Sequence, residues 1–272
     1  MMSKLLKNRY LILRRIVQIT ILALYFGANA YGWKVLVGNL SYSKFLQAIP
    51  LADPFTVLQM LAAGAVVGVD VLVGAVVIAV FYGLIGGRAF CSWVCPINMV
   101  TDLANWLRRK LKIDRDARRI NISRRFRYWA LGTLLVVSFV VGAAAYEFVN
   151  PIGFFVRGLL FSIGFGWTLI LAIFLFDLLI LKHGWCGYIC PVGATYSLIG
   201  SKSLIRVEHN HLNCTNCGNC KEVCPEKQVL NPVIYRKSGF INGIECTNCG
   251  RCIEVCNDNA LKFSIRSFLK NN

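Results

Sequence analysis

Twelve cysteines occupy four short clusters, and two of the clusters repeat one spacing. Cys214-Thr-Asn-Cys217-Gly-Asn-Cys220-Lys-Glu-Val-Cys224-Pro225 is followed by Cys246-Thr-Asn-Cys249-Gly-Arg-Cys252-Ile-Glu-Val-Cys256. Thiolates at this pitch can wrap an iron–sulfur cubane three at a time, and the small residues between them leave backbone N–H groups free for its sulfides. Zinc sites favour separate CxxC pairs over a doubled CxxCxxCxxxC run. The second run departs in one place: Asn257 stands where Pro225 follows Cys224. That change alters exposure or potential without removing a ligand.

The doubled run resembles the bacterial two-cluster ferredoxins, in which the fourth cysteine of each run ligates the other cluster. Carried over, Cys214, Cys217, Cys220 and Cys256 hold one [4Fe–4S], and Cys246, Cys249, Cys252 and Cys224 hold the second.

The other four cysteines sit in Phe90-Cys-Ser-Trp-Val-Cys-Pro-Ile97 and Trp185-Cys-Gly-Tyr-Ile-Cys-Pro-Val192. Each CxxxCP motif supplies two thiolates, too few for a [4Fe–4S] cluster. A pseudo-twofold axis along the membrane normal would bring Cys91, Cys95, Cys186 and Cys190 together as four. A shared third metal centre at the membrane surface, a pair of redox-active dithiols and a soft Cu(I) site all suit these residues. Pro96 and Pro191 fit the first position of a helix, which puts Cys95 and Cys190 at helix N-termini, where a thiol ionises more readily.

The elements that must position these groups are apolar. Hydrophobic residues make up 56% of the chain and charged ones 16%, against about 45–50% apolar in soluble domains. Four stretches, roughly 16–37, 67–86, 128–149 and 158–181, approach the ~20 apolar residues of a membrane span. The apolar segment 51–66 reads as an interfacial lead-in to the second. Each CxxxCP motif follows a span, so the expected fold is membrane all-α: four transmembrane helices as two tandem two-helix repeats, residues 1–200. A C-terminal 2[4Fe–4S] ferredoxin domain spans 201–272. Arg14-Arg15 and Ala28-Asn29-Ala30 look like an export signal and its cleavage site, but the apolar run continues past them as an anchored span would.

Lys4, Lys7, Arg9, Arg14 and Arg15, and then Arg108, Arg109, Lys110, Arg118, Arg119, Arg124 and Arg125, crowd two alternate connections. By the positive-inside rule the protein lies in the bacterial inner (cytoplasmic) membrane with both termini cytoplasmic and every cysteine on that side. The net charge of +17 follows membrane sidedness, which speaks against nucleic acid as a partner. Residues 97–111 read as an amphipathic helix on the lipid surface, its Arg108-Arg109-Lys110 cluster facing headgroups or solvent. Ionisable groups near the spans are candidates for proton transfer: Asp70, Asp177 and His183, with Glu147 at the outer edge.

Four spans, two CxxxCP motifs and the doubled cysteine run together resemble the NapH family, membrane components of a quinol dehydrogenase for periplasmic nitrate reduction. The resemblance implies oxidation of membrane quinol and delivery of electrons to a periplasmic NapG-like ferredoxin-type partner, then to a c-type cytochrome. Two relatives with the same core, copper reductases of oxidase assembly and regulators of nitrous oxide respiration, carry additional domains for which this chain leaves no room; an assembly factor or redox regulator using the CxxxCP thiolates is the alternative. No CxxCH, dinucleotide fingerprint or P-loop occurs.

Overall fold

The computed structural model describes residues 8–113, 123–161, 164 and 166–266. Lys4, Lys7, Arg118 and Arg119, counted above for sidedness, lie outside the described residues. The chain forms two compact units. One gathers Met1–Val17, Val80–Val94 and Tyr196–Asn272; the other gathers Gln18–Ala79 and Cys95–Thr195.

Among the described residues one helix, α1 (Arg9–Tyr31), is long and apolar enough to cross a membrane by itself. The helices in the other three expected spans are shorter: α3 (Val69–Ile85), α6 (Phe126–Val141) and Gly166–Ile180, which is α8 (Gly166–Leu175) plus a π-helical turn, Phe176–Ile180. The 17 residues of α3 rise about 25 Å, against a hydrocarbon core of about 30 Å. The expected span 128–149 stops at Val141, because Gly142 takes the left-handed conformation that ends the helix.

The larger unit is a repeat with more detail than the CxxxCP motifs announce. After α1, strands β1 (Leu36–Gly38), β2 (Tyr42–Phe45) and β3 (Ile49–Ala52) form an antiparallel meander. Asp53 then caps α2 (Pro54–Ala62), accepting from the Thr56 N–H at 3.0 Å, with Pro54 in the first turn. In the second half Asn150 does the same for α7 (Pro151–Phe161), accepting from the Ile152 N–H at 3.1 Å. Each half therefore holds an Asx-Pro cap and a short helix ahead of its CxxxCP motif. The segment expected as a lead-in, 51–66, is the first of these helices joined to the end of β3.

Polar side chains tie the halves together. Gln59 of α2, fully buried, accepts from the Tyr146 N–H at 2.9 Å and from Ser138 at 3.3 Å. Glu147 accepts from Thr56 at 3.0 Å and Asn150 at 3.1 Å. Glu147 therefore belongs to a shared hydrogen-bond cluster at the two caps.

The expected membrane-surface helix is α5 (Ile97–Lys110), and here the structure corrects the reading. Its inner face carries Ile97, Thr101, Ala104, Asn105 and Arg108, while Leu103 and Trp106 are exposed. Arg108 does not face headgroups: it is buried and donates to the Asp177 carbonyl at 3.2 Å. Arg14, Arg88 and Arg127 are likewise buried. A buried guanidinium must find acceptors inside the protein, so several cations of the charge pattern have a structural use besides topology.

In the smaller unit, strand β4 (Ile205–His209) lies between β5 (Gly239–Phe240) and β6 (Leu261–Ile265), antiparallel to both. Val207, Val229, Leu230, Val233, Ile241 and Leu261 form the core, with Cys214, Cys220, Cys224, Cys246, Cys252 and Cys256 packed around it. So few apolar residues make a weak core alone, which matches the expectation of a metal-stapled domain.

Candidate iron–sulfur centres

The two cysteine runs fold alike. Asn216 and Gly218 in the first, and Asn248 and Gly250 in the second, have positive φ, with Gly218 and Gly250 capping the short helices α10 (Asn219–Val223) and α12 (Arg251–Glu254). The Asn and Gly of each Thr-Asn-Cys-Gly are therefore conformational requirements, since Gly takes this region freely and Asn at little cost.

The folded loops exchange their last cysteines. One cavity of about 170 Å³ is lined by Cys214, Cys217, Cys220 and Cys256, with His209 beside them. A second, tighter cavity is lined by Cys224, Cys246, Cys249 and Cys252. Among the described residues no three His, Cys, Asp or Glu converge closely enough for a single metal ion. Four sulfurs set around a cavity suit the corners of a cubane. Burial pushes the thiols of Cys224 and Cys252 well up, and that of Cys246 up to about 11, with neighbouring cysteines adding to the rise. Four bare thiolates are unfavourable there without a cationic core. Both sets fit a [4Fe–4S] cluster.

The second set is docked, within the smaller unit, onto the turn that carries Cys91. That turn is α4 (Ala89–Trp93). Ser92 donates to the Thr247 carbonyl at 2.7 Å and the Trp93 indole to the Asn248 carbonyl at 3.0 Å. Arg88 reaches Glu226 and the Glu245 carbonyl. On α1, the Leu11 N–H donates to Glu254 of α12 at 2.9 Å and Tyr10 packs on Phe263.

The remaining CxxxCP cysteines belong to the larger unit. Cys95 is buried and its carbonyl accepts from Gln18 at 3.1 Å. Cys186 lies on a π-helical turn, Trp185–Ile189, 4.0 Å from the Thr101 hydroxyl. Cys190 and Cys95, the second cysteines of the two motifs, both flank the buried phenol of Tyr146, together with Asp53. The repeats differ: where Ser92 and Trp93 hold the cluster loop, the second motif has Gly187 and Tyr188, and Arg124 lies over the Tyr188 ring at 4.6 Å.

Each repeat, CxxxCP included, also matches a known family: residues 67–114 and 159–207 match one described as a 4Fe-4S binding domain, and residues 206–257 one described as a 4Fe-4S dicluster domain. The chain is 47% identical to the methylamine utilization ferredoxin-type protein MauN of Methylorubrum extorquens, over 82% of this chain and 77% of that one. It is 46% identical to the ferredoxin-type protein NapH of Haemophilus influenzae over 85% and 79%, and 45% identical to NapH of Escherichia coli over 85% and 80%. The chain belongs to the NapH and MauN family of ferredoxin-type proteins. No solved structure matches it. It is an iron–sulfur electron-transfer protein of the NapH type.

Within this NapH-type chain the candidate proton groups fall apart. Asp70 is exposed and pairs with Lys44 at 3.5 Å. Asp177 is fully buried, its carboxylate accepting from the Trp185 N–H at 3.0 Å. His183, buried and in the left-handed conformation, has its Nδ1 3.2 Å from the Asn105 amide. Asp177 and His183 thus brace the turn that bears Cys186. Sequence reasoning missed Gln59, Tyr146 and the paired caps. The Asp53-Pro54 and Asn150-Pro151 dipeptides are the signal that could have revealed the caps.

Proposed function

We propose that this NapH-type protein is a bacterial inner-membrane subunit, with both termini cytoplasmic, that oxidises quinol and passes the electrons one at a time to a periplasmic NapG-like ferredoxin-type partner and on to a c-type cytochrome. Its four apolar helices are the membrane spans, and quinol binds among them. Cys214, Cys217, Cys220 and Cys256 hold one [4Fe–4S] cluster; Cys224, Cys246, Cys249 and Cys252 hold the other. Iron–sulfur clusters supply one-electron steps, which divide the two-electron oxidation of quinol.

The observation that carries this reading is the docking of the Cys246–Cys249 loop on the Cys91 turn through Ser92 and Trp93. A redox centre that includes Cys91 and the second cluster then belong to one electron path. A relative is named for methylamine utilization, which supports a reading in which nitrate is one destination among several.

The test is anaerobic iron and sulfide content with EPR, before and after a menaquinol analogue, on wild type and Cys91→Ser/Cys186→Ser. Reduction by quinol is expected, with about twelve iron falling to about eight in the variant if the CxxxCP cysteines share a third cluster. Unchanged iron with copper uptake lost in the variant favours an assembly factor, and clusters that quinol leaves oxidised favour a redox regulator.

A further inference from the structure

Strand β4 carries a guanidinium whose burial is unexplained by any acid. Arg206 is 1% exposed. Its Nη1 donates to the Gly243 carbonyl at 2.9 Å and its Nη2 to the Gly200 carbonyl, while its Nε has no partner. Among the described residues no carboxylate pairs with it. Glu226 is taken by Arg88 at 2.5 Å and Glu208 by Lys262 at 3.4 Å. A charge taken out of water without a counter-ion is strongly disfavoured, and proteins rarely keep one.

The missing anion is indicated by what Arg206 touches. The Gly243 carbonyl that accepts from Arg206 also accepts from the Cys246 N–H, at 3.1 Å. Arg206 and Cys246 are electrostatic neighbours. Asn248, which the Cys246 thiol contacts at 3.5 Å, donates its amide to the Ile205 carbonyl beside Arg206 at 2.9 Å. Arg206 and the Cys246 backbone therefore meet at one carbonyl, that of Gly243. The other basic groups nearby differ: Arg88 is neutralised by Glu226; Arg251, which lines the second cavity, and Arg266, an electrostatic neighbour of Arg206, are only partly buried; and the cavity of the first set is lined by His209 and an exposed Lys221.

We propose that Arg206 is the fixed counter-charge for the cluster held by Cys224, Cys246, Cys249 and Cys252, and that it raises the reduction potential of that cluster alone. Reduction adds one electron, and the cluster with its four thiolates goes from a net charge of about −2 to about −3. In a buried site the extra negative charge is poorly solvated, which opposes reduction. Arg206 offsets it with a positive charge already in place, where the low dielectric strengthens the attraction. The first set, nearer solvent with Cys217 exposed, needs no such charge. The inference uses the ferredoxin-domain clusters and is independent of whether quinol is the donor.

The experiment is EPR-monitored potentiometric titration, with dithionite and mediators, of the full-length protein purified anaerobically. Wild type, Arg206→Gln, Arg206→Lys and, to assign the signals, Cys252→Ser are compared. The expected result is at least a tenfold loss in the reduction equilibrium of the second cluster in Arg206→Gln, about 59 mV for one electron, with the first cluster unmoved and Arg206→Lys near wild type. An unshifted second cluster, or equal shifts in both clusters, overturns the proposal. If Arg206→Gln loses iron, Arg206→Lys decides. A full iron complement at the wild-type potential supports the charge role, and iron loss in the lysine variant overturns it in favour of packing. Failure of quinol to reduce the protein leaves these readings unaffected.

Discussion

The Arg88 guanidinium donates to the Glu226 carboxylate at 2.5 Å, and each side chain is only 2% exposed. Arg88 lies three residues before Cys91 and Glu226 two after Cys224, so one ion pair joins the first CxxxCP turn to the second cysteine set. Breaking a buried pair leaves a charge stranded. Arg88→Met or Glu226→Leu alone should each cost about 3–5 kcal/mol, and the double variant markedly less than their sum. Thermal unfolding in detergent, with iron content, checks this; additive losses would show that the pair is not coupled.

Backbones meet at two glycines. A Cβ on Gly200 would lie 2.1 Å from the Gly87 nitrogen, and one on Gly87 only 1.8 Å from the Tyr196 carbonyl oxygen. Gly200→Ala should destabilise by about 1–3 kcal/mol, as overpacking does, and should disturb the Cys91 turn more than the cysteine loop at 214–220. Hydrogen exchange resolved by peptide would test both statements.

Tyr146 predicts the opposite sign. Its buried hydroxyl makes no hydrogen bond of full geometry although Cys190, Cys95 and Asp53 flank it. Removing an unsatisfied polar group is neutral to stabilising. Tyr146→Phe should thus keep or slightly raise the melting temperature. It should also change the EPR signature or alkylation rate of Cys95 and Cys190, and a clear loss of stability would show that the hydroxyl is well bonded.

Asp258 closes the first cysteine set from outside, accepting from the Thr215 hydroxyl at 2.6 Å and the Thr215 N–H at 3.1 Å. Those bonds hold its carboxyl below the usual carboxylate range. With the folded value depressed, the tie is present above the unfolded value of about 3.9 and is lost as pH falls through the lower folded value. Asp258→Asn should release iron to a chelator faster than wild type at neutral pH, and the difference should vanish only well below about pH 4. A difference that disappears between about pH 7 and 5 would refute the assignment.

Iron removal should act unevenly. The core around Val207, Leu230 and Ile241 is ringed by cysteines, so anaerobic chelation should abolish exchange protection across residues 205–265 while α2 and α6, held by Gln59 and Ser138, stay protected.

The cysteine sets, the two repeats and the four apolar stretches are legible in the order of the residues because each depends on spacing along the chain. The ligand exchange can be written down because the resemblance to two-cluster ferredoxins implies it. The roles of the cations are not legible in the same way. Arg108 reads as a surface charge in an amphipathic helix, yet its guanidinium is buried against Asp177; Asp70 and Asp177 read alike, yet one is exposed and the other fully buried.

The amino-acid sequence by itself determined how the cysteines group into runs and that apolar stretches lead into the CxxxCP pairs, since thiolate pitch and hydrophobic runs are local properties. Only the tertiary structure decided which cysteine loop meets the Cys91 turn and which arginine is left without an acid. Arg88 meets Glu226 across 138 residues, and burial, which makes an unpaired charge costly and so gives Arg206 its use, exists only once distant segments have excluded water.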